Sequence, residues 1–402
     1  MYLCNQQVCT RCIMDTTASD ITFDDAGVCN YCTDFLVRLD KYVAPDPAER
    51  ERRLLSLVDS VREQGKGKPY DCIIGVSGGV DSSYTLVRAV QLGLRPLAVH
   101  MDSGWNAEVA ANNIANLVRG LGVDLYTHVI DWPEIRGLME AMFAADVRDV
   151  DLLYDNALAG VVYGQAAKHG LHYILAGSNM ATEGMAMPPG WTWNKMDKRN
   201  IVAISKKFGG PKIKTFPAIG TMKYAKHILI DRAHWIAFLD LIDYRKDEAL
   251  SVLTRDYGYK PYAYKHYESV FTRLWQGYLL PTKLGYDKRK PHLSTLIMTG
   301  QMTREDAVEN MRGIAYPSQR DLDRDRQYFL KKMGWSEQKL EDYLTRPEIA
   351  HDAYPSEAAL WERLLGLYRK LNFGIGRVNW SKNAKHDSAN REKLLKASGT
   401  TD

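Results

Sequence analysis

Two groups of residues in this 402-residue chain have the types and spacing to do chemistry. The first is Cys9-x-x-Cys12 followed by Cys29-x-x-Cys32, with sixteen residues, Ile13 to Val28, between the pairs. Thiolates are soft ligands, and each tight Cys-x-x-Cys turn offers two of the four tetrahedral positions that zinc takes. Two disulfides are the competing use of these cysteines, and a reducing cytosol disfavours them. With all four positions filled, such a metal holds structure rather than meeting substrate. The second group is Ser77-Gly78-Gly79-Val80-Asp81-Ser82-Ser83. Two glycines let the backbone approach an anion closely, and three hydroxyls add donors. The first-turn N–H groups of a following helix would point at the same place.

Both groups need elements to hold them. The apolar run Cys72-Ile73-Ile74-Gly75-Val76 predicts a buried strand, and residues 84–93 predict a helix ending on glycine. Further strands are predicted over 95–101, 123–130 and 171–176, with helices over 107–121 and 155–168. Repeated strand–helix alternation means a parallel sheet covered by helices, whose ligands bind at the carboxyl ends of the strands. Three loops therefore converge: 77–83, 102–105 and 177–179. Residues 21–28 read as a hairpin between the two cysteine pairs. Asp46 and Pro47 start a linker helix running to about Arg62. From Met180 to Pro217 no period is visible, which suits a lid or substrate loop. Glu183 in it could meet a reacting group, with a solvated loop carboxylate as the plain alternative. Helix starts are expected at Thr303 and Ser336. The run Lys288-Arg289-Lys290 is ordinarily a solvated surface. Mixed with Tyr286, His292 and Ser294, it suits phosphate and sugar hydroxyls.

Composition narrows the class. The chain is 45% hydrophobic and 25% charged, as a globular protein of two or three domains would be. Its net charge of +4, without a basic block, gives little support to a nucleic-acid binder. No apolar run approaches the ~18 residues of a membrane span, and residues 1–7 lack a signal-peptide pattern, so a cytoplasmic enzyme is expected.

The residues 77–83 resemble the PP-loop, SGGxDS, of the ATP pyrophosphatase superfamily, and not a Walker A loop. Taken together with Cys-Thr-Arg-Cys-Ile-Met-Asp (9–15), Cys-Asn-Tyr-Cys (29–32), Ala-Gly-Ser-Asn (176–179), Lys-His-Tyr-Glu-Ser (265–269) and Gly-Tyr-Asp-Lys-Arg with His292, it resembles the N-acetyl sugar amidotransferase family. That family belongs to O-antigen, lipopolysaccharide and flagellar sugar biosynthesis. The resemblance covers about residues 1 to 345. It implies an α/β fold, adenine nucleotide alpha-hydrolase-like, with an N-terminal zinc ribbon (1–43), a linker helix (44–68), a PP-loop ATP-binding domain (69–255) and a mainly helical substrate or partner region with a polar tail (256–402).

The implied reaction is transfer of AMP to an amide oxygen of a UDP-linked sugar, with loss of pyrophosphate, then attack by ammonia to give an acetamidino group. The implied cofactors are ATP, Mg2+ and structural zinc. Ser77, Asp81, Ser82 and Glu183 are the candidates for the reacting end. Ser77 to Ser83, with Gly78, Gly79 and Val80, would hold phosphates. The backbone beside His100 and Met101 would meet adenine, Asp102 would hold ribose or Mg2+ with a plain loop cap as its alternative, and Gly177, Ser178 and Asn179 would close the site. Lys265, His266, Glu268, Tyr286, Lys288, Arg289 and His292 are the candidates for binding sugar. Outside the four zinc cysteines only Cys4 and Cys72 remain, and neither has a glutaminase context. Ammonia is therefore expected from separate glutaminase and barrel subunits, resembling those of imidazole glycerol phosphate synthase. The alternative is a PP-loop tRNA-modifying enzyme, a thiolase or lysidine synthetase-like ligase. Thiolation needs a placed sulfur-carrying cysteine, and tRNA needs a basic face.

Overall fold

The structure, a computed structural model, describes residues 7–262 and 267–370. Its centre is a five-stranded parallel sheet: β1 (Cys72–Gly75), β2 (Pro96–Asp102), β3 (Leu125–Val129), β4 (Tyr173–Ala176) and β5 (His234–Ala237). Their order is β3-β2-β1-β4-β5. The chain builds outward from β1 through β2 to β3, then returns to lay β4 and β5 on the other side. The switch point lies between β1 and β4, where Ile73 pairs with Ile174 and Ile74 with Leu175.

Side chains alternate across a strand, so a strand buried on both faces reads as continuously apolar. Cys72 and Ile74 of β1 join one core with Leu54, Leu86, Ile114 and Leu253. Ile73 between them joins the opposite core with Val162, Tyr163, Tyr224 and Trp235. Helices thus cover both faces. Pro47–Gly65, Val80–Gln91, Glu108–Leu121 and Lys246–Tyr257 lie on the first, Leu152–Lys168 and Thr221–Leu229 on the second. Asp46 accepts from the N–H groups of Ala48 and Glu49 and starts Pro47–Gly65. Glu49 turns away from the reciprocal cap to bind Arg52 and Arg53.

A third core belongs to the helices beyond the sheet, where Trp105, Phe143, Phe271, Trp275, Phe329 and Trp335 pack together. Thr303 and Ser336 each cap a helix by accepting from the N–H three residues on. Helix Lys246–Tyr257 runs straight through residue 255, so sheet-packing and helical parts share an element at the expected domain boundary.

At the N-terminal end, Phe23 pairs antiparallel with Cys29 across a turn at Gly27, as the hairpin reading expects. The second cysteine pair then opens helix Asn30–Tyr42 instead of forming a second free turn. This module sits on the C-terminal half. Ile13 N donates to Ser294 Oγ at 3.3 Å, Lys290 meets Asp15 at 2.6 Å, and Arg304 donates to the carbonyls of Cys9 and Cys12, each at 3.1 Å. Among the described residues, no helix is long and apolar enough to cross a membrane.

Candidate functional site

The chain leaves β1 at its carboxyl end and turns through Ser77-Gly78-Gly79 into helix Val80–Gln91. Gly78 has φ +83°, and a Cβ there would stand 2.8 Å from the carbonyl of Ala110, so both conformation and space demand glycine. Gly79 is the N-cap and brings no side chain to cover the first turn. The Ser77 and Ser82 hydroxyls lie 3.3 Å apart, and Ser77 Oγ accepts from Gly79 N at 3.2 Å. Behind the turn, Tyr259 and Tyr262 both donate to the Gly78 carbonyl, at 2.9 and 3.2 Å. The turn is therefore built before any ligand arrives. Its open side carries helix-terminal N–H groups and hydroxyls, an arrangement that suits an anion.

Three carboxylates stand around it. Asp81 accepts from the Tyr244 hydroxyl and from Thr182 Oγ1. Burial, and then the charge of Asp81, hold Tyr244 well above the usual phenol range, so it stays a donor. Glu268 reaches the turn because residues 105–107 pair antiparallel with 268–270. Ala107 N donates to Glu268 O and Val270 N to Trp105 O, both at 2.9 Å. Glu268 Oε1 lies 3.5 Å from where a Cβ on Gly79 would stand. Glu183 ends the short helix Met180–Glu183, whose Met180 N–H is taken by Asp240. Burial pushes Asp240 up to about 7.

One cavity of about 880 Å³ gathers most of the residues expected from the sequence. Ser77, Gly79, Val80, Asp81 and Ser82 line it together with His100, Met101, Gly177 and Ser178. Glu183, Glu268, Lys288 and His292 line it from other elements. His100 is pinned between Val76 O at Nδ1 (2.8 Å) and the Asn106 side-chain amide at Nε2 (2.9 Å), which fixes the ring's orientation.

Other expected residues are otherwise engaged. Ser83 is buried behind the turn. The Asp102 carboxylate accepts from Gly104 N at 2.7 Å within its own loop. Asn179 caps the 180–183 helix and donates to Gly177 O. The Tyr286 ring stacks on Trp191 at 4.9 Å, and Arg289 is held by Asp287. Lys265 and His266 lie outside the described residues. The stretch expected to be an irregular lid contains helix Lys198–Lys207, and its aromatic part is packed down. Trp191 is buried, and Trp193 stacks on His351 at 5.1 Å while donating to Asp197.

The sequence reading missed a charged cluster in and behind the cavity wall. Lys195 meets Asp149 at 2.6 Å and Asp155 at 2.9 Å, and Lys288 faces Asp151 at 3.7 Å. Burial alone would raise Asp149, but Lys195 and Lys288 bring it below its ordinary range. For Asp151 burial wins and pushes it up to about 6. Gln276 donates to Asp151 at 3.1 Å from the π-helical turn Trp275–Leu279, a deformation common where a helix carries function. The carboxylates at 149–155 give a sequence signal, but only the fold supplies Lys195 and Lys288.

The four N-terminal cysteines are buried, and their sulfurs all lie within 4.8 Å of one another. The Cys9–Cys32, Cys12–Cys29 and Cys29–Cys32 separations are 3.9, 3.7 and 3.8 Å. A tetrahedron with ~2.3 Å metal–sulfur bonds has edges of about 3.8 Å, so the set fits one zinc-sized ion, and these distances exclude disulfide bonds.

A parallel sheet whose switch point carries this glycine turn defines an α/β protein of the PP-loop class. Residues 268–380, which supply Glu268, Lys288 and His292, match the family described as LPS biosynthesis protein WbpG-like, C-terminal domain. A 76-residue stretch, 19% of the chain, is 37% identical to the glutamine-hydrolyzing GMP synthase of Pyrobaculum aerophilum and spans only 15% of that protein. Among solved structures, the NMN synthetase of Francisella tularensis superposes with a TM-score of 0.29 at 17% identity, over 55% of this chain and 99% of that one. The NH3-dependent NAD synthetase of Campylobacter jejuni gives 0.28 at 14% identity, over 67% and 98%.

Proposed function

We propose that this chain is an ATP-dependent, AMP-forming amidotransferase of lipopolysaccharide or O-antigen sugar synthesis, turning an N-acetyl group of a UDP-linked sugar into an acetamidino group. One observation carries the reading: the Ser77–Ser82 turn and the WbpG-like region face each other across a single cavity. An amide carbon is a poor electrophile and its oxygen a poor leaving group. A turn that holds the two outer phosphoryl groups of ATP directs attack by the amide oxygen to the α-phosphorus. The bond to pyrophosphate breaks, and the adenylated amide carbon accepts ammonia. AMP then leaves with the former amide oxygen, and the product is an amidine. The turn's N–H and hydroxyl donors supply charge stabilisation at fixed positions.

Asp81, on the first turn of the helix after the glycines, is the candidate protein ligand for Mg2+, which would supply charge neutralisation on the phosphates when bound. The four cysteines hold zinc as a structural ion. Cys72 is completely buried, and burial pushes its thiol up, so it is no glutaminase nucleophile. Ammonia therefore arrives from separate glutaminase and barrel subunits, in the cytoplasm where ATP and nucleotide sugars meet.

The test is turnover of the isolated chain with ATP, Mg2+, ammonium and UDP-linked N-acetyl sugars, followed by mass spectrometry. The expected product is lighter by about one dalton, oxygen (~16) being replaced by NH (~15), and appears with AMP and pyrophosphate. ADP with orthophosphate would refute the reading, and glutamine use by the chain alone would remove the separate ammonia source.

A further inference from the structure

Three of the basic side chains lining the cavity already have counter-charges. Arg148 is paired with Glu348 at 3.0 Å, Lys195 with Asp149 and Asp155, and Lys288 faces Asp151. Arg38 differs. It comes from helix Asn30–Tyr42, whose first turn contains Cys32 of the metal cluster, and it lines the same cavity. Its Nε donates to Asp34 O at 3.3 Å, one turn earlier. Its Nη2 is shut off from water with no hydrogen-bond partner, and among the described residues no carboxylate forms an ion pair with it.

A guanidinium nitrogen shut off from water without an acceptor is costly. Burial lowers the pKa of Arg38, and the Asp34 carboxylate one turn earlier opposes that shift. The position is not accidental packing at a rim. Phe35, one turn before Arg38, is completely buried, and Gly184 approaches so closely that a Cβ there would stand 2.4 Å from the Phe35 ring. Glu183 and Gly184 also line the cavity, so the helix carrying Arg38 is wedged into its wall. The planar fork of arginine matches a phosphoryl oxyanion with two parallel donors.

We propose that the metal module completes the site by delivering Arg38 into the cavity as a ligand for a phosphoryl oxyanion. This rests on the reading of the cavity as a phosphoryl-ligand site. The oxyanion comes either from the nucleotide or from the diphosphate of the sugar, and the test separates these sources. Binding of ATP, inorganic pyrophosphate, UDP and adenosine is measured by calorimetry on the full chain as wild type, Arg38→Gln and Arg38→Lys. Zinc content and thermal unfolding are recorded alongside. If nucleotide phosphates are the ligand, Arg38→Gln weakens ATP and pyrophosphate by about tenfold or more, leaves adenosine and UDP unchanged, and Arg38→Lys falls between. If the sugar diphosphate is the ligand, UDP alone weakens. Should Arg38→Gln not fold, Arg38→Lys carries the test, since it keeps the charge and loses the fork. Binding of all four probes within about twofold of wild type overturns the proposal, as does an equal loss for adenosine. Failure of the wild type to bind any phosphoryl probe removes the reading of the cavity, and this proposal with it.

Discussion

Replacing Gly177 by alanine separates the site from the scaffold. Gly177 follows the last residue of β4 and lies against the start of the helix that follows the phosphate turn. A Cβ there would stand 2.7 Å from Ser82 N, 2.8 Å from Asp81 C and 2.9 Å from Ser82 Cα. Carbon atoms are comfortable at about 3.5 Å or more, so the two segments must separate by roughly 0.7 Å. All three neighbours are backbone, and no flexible side chain can absorb the shift. Overpacking of this kind costs about 1–3 kcal/mol in stability. Its expected effect on function is larger, because the displaced N–H groups are those that would meet phosphate in the proposed reaction, and a misplacement near 1 Å costs on the order of 100-fold in rate. Gly164→Ala is the control: it lies in helix Leu152–Lys168, and its new Cβ meets nothing within 4 Å. That variant gains about 0.5–1 kcal/mol from helix propensity and keeps its activity. The assay is pyrophosphate release with ATP binding by calorimetry, and urea midpoints for stability. If Gly177→Ala binds ATP and turns over within about twofold of wild type, the phosphate turn is not where this structure puts the chemistry.

Other perturbations test the scaffold. His351 is buried, with Nδ1 bonded to Asn200 Oδ1 and Nε2 accepting from Asp149 N, and burial lowers it to about 4. An unfolded histidine titrates near ~6.5, so the folded state loses stability as pH falls from there toward 4, by up to about 3 kcal/mol. His351→Gln should flatten that part of the urea-midpoint curve, and an unchanged slope would refute the assignment. Lys195→Met strands the fully buried Asp149 and should cost about 3–5 kcal/mol, with part regained in a double variant that adds Asp149→Asn; both are read from denaturant midpoints. Cys12→Ser, or strong chelation, should reduce bound zinc from about one ion per chain to none and lower the thermal midpoint. Metal content and melting scored on the same sample check this. Tyr244→Phe removes a donor from Asp81 and should cost about 1.5–3 kcal/mol in a denaturant titration.

The sequence and the structure agree where one short stretch carries its own signal. The apolar run at 72–76, the two glycines and the hydroxyls at 77–83 announce strand, turn and helix without help from distant residues. The cysteine pairs do the same, because a tetrahedral ion needs little more than four thiolates at that spacing. β5 was illegible. It is four residues, His-Trp-Ile-Ala, at a sheet edge with only Trp235 fully covered, too short to show a period. The Asp149, Asp151, Lys195 and Lys288 cluster was illegible for a different reason. Its members come from segments far apart in sequence, and only tertiary folding makes them neighbours. Asp102 and Tyr286 show the converse: residue type suited them to a ligand, while a backbone N–H and a neighbouring indole ring lie closer. The glutamate at 268 reached the turn through a strand-like pairing with 105–107 that no local pattern encodes.

The seat of the cysteine module has a consequence for biogenesis. Ile13 and the serine it bonds are 281 positions apart. At ribosomal speeds of ~5–20 residues per second, the ion-binding knob is synthesised roughly 15 to 55 seconds before its docking partner exists. For part of that interval its apolar underside, with Met14 and Phe35, waits for Met180 and Met185, and then for Met298. The cysteine pairs are complete early in synthesis, and the cavity wall supplied by Glu268, Lys288 and His292 is complete only late. A chain stalled short of residue 290 would carry the cysteine module without the contacts from Lys290, Ser294 and Arg304 that seat it.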